Sequence, residues 1–290
     1  MDTSLPAVEI DRGMARRASL LKGLNIEAGA GLEIGALHRP TLGRDNFKVK
    51  FVDFTTTTEL RRLYENVPSV PTGDIVDVDY VWSAGSKLTD VVQFNKFDYV
   101  IASHVVEHAP NLVSWFDQIE ECLKDAGVLS MIIPDKRYTF DVLRNTTEIG
   151  QIINAYLTDL DKPTAGQVFD HFFYHGKISD VLALWTRELA EVQIERVHTV
   201  KQSFDIAHSV LTSGSYFDVH CTIVTPAAML DIVENLSMLG LTRFVVENFE
   251  ETHFGEIDFF LSLRKSHLSG EELLRCQLDA IQRYRAVDSK

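Results

Sequence analysis

Between Gly31 and Pro134, short β-rich runs alternate with helical patterns, and this alternation constrains the fold more than any other feature of the chain. The strand candidates are Gly31 to Ile34, Lys48 to Phe54, Asp74 to Trp82, Phe97 to Ala102 and Gly127 to Ile133. Several are almost continuously apolar, as strands covered by helices on both faces should be. Helical spacing lies between them: Leu60, Leu63, Tyr64 and Val67, then Leu112, Trp115, Phe116, Ile119 and Leu123. A parallel sheet built from β-α-β units is expected.

From about Asp135 to His220 the alternation stops, and an aromatic, histidine-rich stretch of helices and loops follows. Strand patterns return at Arg243 to Glu247 and Ile257 to Leu263, after a helix from Pro226 to Leu239. The expected organisation is therefore an N-terminal helical segment over 1–30, a core over 31–134, an inserted lid over 135–220, the rest of the core over 221–265, and a final helix over 266–290. That last helix would use Leu274, Leu278 and Ile281 to dock on the sheet or on a second copy of the chain.

Composition narrows the partners. A net charge of −14 disfavours a long nucleic-acid surface, and no apolar run is long enough to cross a bilayer. The three cysteines form no C-x-x-C pair, and acidic Asp2, Glu9 and Asp11 stand where a signal peptide would be positive. A cytoplasmic protein acting on a small molecule is expected, with neither nucleic acid nor membrane as a partner.

Gly31-Leu32-Glu33-Ile34-Gly35 puts an acid in the first strand and a glycine at the turn after it, at the edge where open α/β sheets bind ligands. Asp53 closes the second strand, where an acid can accept from ribose hydroxyls. The two acids point to a nucleoside-containing cofactor. A dinucleotide would need further glycines to seat its pyrophosphate, but the loop runs Gly35-Ala36-Leu37-His38-Arg39-Pro40. A nicotinamide oxidoreductase is disfavoured on that ground.

The segment Phe97-Asp98-Tyr99-Val100-Ile101-Ala102-Ser103-His104-Val105-Val106-Glu107-His108 resembles the F-D-x-V-x-x-x-x-V-L-E-H stretch of small-molecule class I S-adenosylmethionine-dependent methyltransferases. With Leu-Glu-Ile-Gly upstream and Gly-Val-Leu-Ser-Met-Ile-Ile-Pro downstream, the resemblance covers about residues 30 to 135. It implies a doubly wound, mostly parallel seven-stranded α/β sheet of Rossmann-like type with a largely helical insertion. It implies S-adenosylmethionine as cofactor, with Glu33 and Gly35 at the methionine portion, Asp53 at the ribose, and Asp79, or equally Asp77, near the adenine. Ser103 and His104 would lie beneath the sulfonium, and Ala36 and Phe54 adjoin the same cofactor set.

Transfer to an oxygen of a sugar or small metabolite is the expected activity. A nitrogen acceptor, or a methyltransferase-like fold that binds without catalysis, stands as the alternative. A hydroxyl acceptor calls for a base, and His104, His171, His175 and His220 are the candidates. His171 and His175, four apart, could hold a divalent metal with Asp170 or Asp218, but that spacing arises often by chance and no resident metal is expected. Lys136 and Arg137, after the fifth strand, are placed to meet an anionic acceptor. Glu107 and His108 are as consistent with capping and packing as with substrate contact.

Overall fold

The computed structural model describes residues 7–83 and 85–286. Its elements, in chain order, begin with α1 (Ala7–Leu21), β1 (Gly31–Ile34), β2 (Val49–Asp53), α2 (Thr57–Leu63), β3 (Tyr80–Val81), α3 (Leu88–Val91), β4 (Phe97–Ser103), α4 (Leu112–Cys122) and β5 (Leu123–Pro134). The chain then leaves the sheet for α5 (Ile149–Leu157), α6 (Ala165–Tyr174), β6 (Gly176–Ile178), α7 (Val181–Thr186), β7 (Ile194–Arg196) and α8 (Val200–Ser213). It returns through α9 (Pro226–Met238), β8 (Phe244–Glu250), β9 (Asp258–Lys265) and α10 (Gly270–Arg285).

The seven-stranded sheet has the order β3-β2-β1-β4-β5-β9-β8. The pairings from β3 through β5 are parallel, and β9 runs antiparallel to both β5 and β8. Successive side chains alternate between faces. Leu32, Ile34, Val52, Val100, Ala102, Leu129 and Met131 face one core, with Leu112, Trp115, Phe116 and Ile119 of α4 and the buried stripe of α9. Val49, Phe51, Tyr99, Ile101 and Ile132 face the other, covered by Leu20 of α1 and by Leu42. Each fully buried large side chain contributes about 1.5–3 kcal/mol, so α4 alone anchors the sheet through several such contacts. The order reverses between β1 and β4, which opens a crevice at their C-terminal ends.

Two expectations need correction. Of the run Asp74 to Trp82, only Tyr80–Val81 pairs with β2; Thr72–Asp74 is a 3-10 turn. The insertion also carries a small antiparallel ribbon, β6 with β7, beside its helices. It has its own apolar cluster, in which Val168 and Phe169 of α6 meet Ala207 and Val210 of α8. α10 docks through Leu273, Gln277, Ala280 and Ile281, with Leu274 and Leu278 at the margin of the buried face. Among the described residues no helix is long and apolar enough to cross a membrane.

Candidate active site

The β1/β2 half of the crevice is acidic. Gly35 turns the chain at φ +67° and its N–H donates to the Val52 carbonyl at 3.0 Å. A Cβ at this position would stand 3.2 Å from Val105 Cγ2, so the glycine permits a close approach of the two loops. Leu37 also has positive φ, +47°, a left-handed conformation that a leucine adopts only when its surroundings hold it there. Glu33 is 2% exposed and accepts from the N–H of Thr41 at 2.7 Å and of Leu42 at 3.4 Å. It therefore pins the loop from Gly35 to Leu42, and burial outweighs those bonds to raise its carboxyl pKa. Ala36 is packed into the core beside Leu42 and Phe51.

Asp53 is buried at the end of β2, with Oδ1 accepting from Phe54 N–H at 2.8 Å. Burial lifts its pKa to about 6; the Phe54 bond opposes this, and the charge of Asp218 adds to it. Phe54 beside it is 53% exposed, an aromatic face at the edge of the crevice. Asp79 does not join this group. It precedes β3, accepts from Phe51 N–H at 2.8 Å, and pairs with Arg44 and Lys50, because β3 begins only at Tyr80. Trp82 follows the C-terminal end of β3 instead, and its N–H donates to the Asp53 carbonyl at 2.8 Å. Asp77, the other contender, lies before β3 as well and faces Arg61 at 3.8 Å.

The β4 half is built from histidines. β4 ends at Ser103, half-buried, and His104 follows at φ +54°. His104 Nε2 lies 3.1 Å from Asp258 and Nδ1 lies 3.5 Å from Glu107 Oε1. Burial pulls its pKa down, but the two carboxylates more than reverse this and hold it up at about 9. Arg16 of α1 pairs with the same Asp258. A pKa raised this far disfavours His104 as a base near neutral pH, and its Nε2 is shared between Asp258 and the Arg16 guanidinium at 3.1 Å.

Glu107 and His108 sit in a single 3-10 turn, Val106–His108. The Glu107 carbonyl accepts from Cys221 N–H at 2.6 Å and Thr222 N–H at 3.1 Å, which lays His220 against this turn. The His108 and His220 rings meet edge to face at 4.7 Å. His108 Nδ1 bonds Asp218 at 2.8 Å and His220 Nδ1 bonds Asp141 at 2.5 Å, while Asp141 also takes Arg144 at 3.0 Å. Both acids remain ionised: burial raises their pKa values, but their histidine partners lower them further.

His171 and His175 stand behind this group. His171 Nδ1 accepts from the His220 backbone N–H at 3.3 Å, and burial pushes its pKa down to about 3. His175 lies flat on Phe140, centroids 4.5 Å apart. Burial lowers the pKa of His175 as well, so both rings are weakly basic here. Lys136 and Arg137 are not free for an anionic acceptor either. Arg137 is bidentate on Asp135, and Lys136 donates to the Val142 carbonyl at 3.3 Å.

No family model matches the chain, and no curated protein does. Among solved structures it is similar to the CcbJ methyltransferase from Streptomyces caelestis, at 12% identity over 91% of this chain and 100% of that one, with a TM-score of 0.44. An S-adenosylmethionine-dependent methyltransferase from Mesorhizobium loti is 10% identical over 86% of this chain and 96% of its own, at 0.42. The StiE O-methyltransferase domain is 13% identical over 96% and 83%, also at 0.42. These likenesses are distant, and the sheet itself decides: five parallel-paired strands in the order 3-2-1-4-5, then a closing pair whose last strand is inserted antiparallel beside the fifth. The fold is that of the class I methyltransferases.

In this methyltransferase fold the crevice has an acid-edged half at β1 and β2 and a histidine-rich half at β4. Asp218 joins them, since its charge reaches Asp53 on one side while its carboxylate holds His108 on the other. Beside the histidines lies a cavity of about 320 Å³. Its polar end is His104, Glu107, His108 and His220; Tyr138, Phe140, Ile178, Val181 and Ile257 are among its apolar walls. Glu107, His108 and Asp141 were absent from the expected catalytic set. The Glu-His pair was visible in the sequence, but its partner His220 comes from the far end of the insertion.

Proposed function

We propose that the chain is an S-adenosylmethionine-dependent methyltransferase that moves a methyl group to an oxygen of a small hydroxyl-bearing acceptor, a sugar or another metabolite. The observation that carries this reading is the polar cluster Glu107, His108 and His220, which with His104 lines a cavity whose other walls are mostly apolar, and which is linked through Asp218 to the acidic half of the crevice. The acidic half fits a nucleoside: Asp53 at the end of β2 has an oxygen to offer a ribose hydroxyl, and the exposed Phe54 offers a face to a base. When bound, S-adenosylmethionine supplies a methyl group on a positively charged sulfur, which passes to the acceptor oxygen as the C–S electron pair returns to sulfur.

The chain's own residues would align that oxygen, exclude water from it and promote loss of its proton. Tyr138, Phe140, Ile178 and Val181 shed water from the acceptor body, and the cluster receives the hydroxyl. Fixed acids and an imidazolium at His104 give this end of the cavity a preorganised field. Cys122 and Cys221 are buried free thiols and Cys276 an exposed one, which suits the reducing compartment of the cytoplasm.

Calorimetric titration with S-adenosylmethionine and S-adenosylhomocysteine tests the cofactor half. Micromolar binding is expected, weakened at least about tenfold by Asp53→Ala, the equivalent of one good hydrogen bond to a charged group. Transfer of a labelled methyl group across a panel of sugars, phenols and aliphatic alcohols tests the acceptor half. No binding, or binding that Asp53→Ala leaves unchanged, would sink the reading.

A further inference from the structure

We propose that Glu107, His108 and His220 form a binding site for a divalent first-row transition ion, through the Glu107 carboxylate and the Nε2 atoms of both histidines. Their ligand atoms all lie within 4.8 Å of one another. Glu107 is 1% exposed and neither of its carboxylate oxygens has a hydrogen bond. A buried carboxylate whose oxygens make no hydrogen bond is costly, and a cation at this point would satisfy oxygens that the His104 ring, 3.5 Å away, meets only in part. Three ring nitrogens lie around the Glu107 carboxylate: His104 Nδ1 at 3.5 Å, and the Nε2 atoms of His108 and His220 each at 4.0 Å.

His108 and His220 both commit Nδ1 to a carboxylate, Asp218 and Asp141 respectively. An Nδ1–H donated to an acid leaves the Nε2 lone pair free, and in both rings Nε2 lies 4.0 Å from Glu107 Oε1. A carboxylate behind each imidazole is the arrangement that orients metal-binding histidines and raises their basicity. Ligand atoms around an ion at ~2.0–2.2 Å sit roughly 3–3.5 Å apart, so the 4.0 Å separations close by small side-chain rotations. His104 stays outside the set, its Nε2 engaged by Asp258 and Arg16 at 3.1 Å each. The pair His171 and His175 is not an alternative, because His171 Nδ1 is taken by His220 N–H and His175 is stacked on Phe140.

Two imidazoles and one carboxylate on one side of an ion leave its remaining positions open toward the cavity. An acceptor hydroxyl coordinated there would be acidified and could pass its proton to bulk water as it binds, before the cavity walls exclude water, leaving the oxygen ready to accept a methyl group. This use of the ion rests on the methyltransfer reading; the site itself does not.

The test is titration of chelator-stripped protein with Co²⁺, followed by its visible ligand-field bands, with no cofactor or acceptor present. Wild-type protein should bind and show the bands. His108→Ala and His220→Ala should abolish them, Glu107→Gln should alter or lose them, and His208→Ala, on the exposed face of α8, should leave them unchanged. Asp141→Asn and Asp218→Asn, which keep shape and every ligand, should weaken binding by about 10–100-fold, so the inference survives a misfolded alanine variant. Wild-type protein without bands, or bands that persist in the Glu107, His108 and His220 variants, overturns it. Titrating the same metal-free protein with S-adenosylmethionine separates the two readings: metal without cofactor binding removes the methyltransferase, and cofactor without metal binding removes only the ion.

Discussion

Asp53 carries a pH dependence that belongs to a single carboxyl group. Its burial lifts the folded pKa to about 6 from an ordinary 3.8, so it is largely protonated below that pH. If, as proposed, ribose hydroxyls donate to the ionised form, affinity for S-adenosylmethionine should be flat above about pH 7. It should weaken below pH 6, approaching tenfold per unit, because only the ionised fraction is competent. The stability sign is opposite: burial disfavours the charged form, so this group costs stability above the folded pKa and the cost fades as pH falls toward 3.8. Calorimetry from pH 5 to 8 checks the binding, and Asp53→Asn should flatten it. Asp53 was legible from sequence because it ends a run of apolar residues at a strand terminus. Asp79 was misplaced because its run looks equally strand-like, while its carboxylate is spent on Phe51 N–H, Arg44 and Lys50.

At the scale of elements, the strands that were legible are those buried on both faces: β1, β2, β4 and β5 read as short apolar runs. β3 was overextended for a physical reason. Val76 packs into the core beside Phe51, and its N–H donates to the Leu37 carbonyl, so Asp74 to Asp79 is patterned by burial without forming a ladder. The β6–β7 ribbon left no signal because its strands are three residues each and lie on either side of α7. A polar clamp on β8 was hidden as well. The β8–β9 register shifts between Val246 and Asn248, and there Gln277 of α10 is wholly buried. Its Oε1 accepts from Val246 N–H at 2.8 Å, and its Nε2 donates to Ser237 Oγ at 3.2 Å and to the Phe244 carbonyl at 3.4 Å. Gln277→Leu keeps the volume and strands these groups, so denaturant unfolding should show a loss of about 1–3 kcal/mol. A neutral result would mean water replaces the amide.

Across the whole molecule, the insertion is joined to the sheet by long-range contacts that no local pattern announces. The Glu107 carbonyl takes the N–H groups of Cys221 and Thr222, and backbone bonds carry no sequence signature. Trp185 of α7 is the second joint. It stacks on Tyr138 at 3.7 Å with the rings 4° from parallel, and its Nε1 donates to the Glu256 carbonyl at 3.2 Å, in the loop leading to β9. Tyr138 and Val181 wall the cavity, so one indole fixes both the position of α7 and the shape of that cavity. Trp185→Ala removes a stacked aromatic pair worth about 0.5–1.5 kcal/mol beyond its buried area, and detaches α7 while leaving the two sheet cores intact. Amide exchange should then quicken in α7 and the β6–β7 ribbon and stay unchanged in β4 and β5, because the insertion opens below the global unfolding free energy. Cofactor affinity should be unaltered, since Asp53 and Gly35 lie on the sheet, while KM for the acceptor rises more than kcat falls. If exchange quickened equally in β4 and β5, the insertion would be an inseparable part of the core rather than a lid pinned upon it.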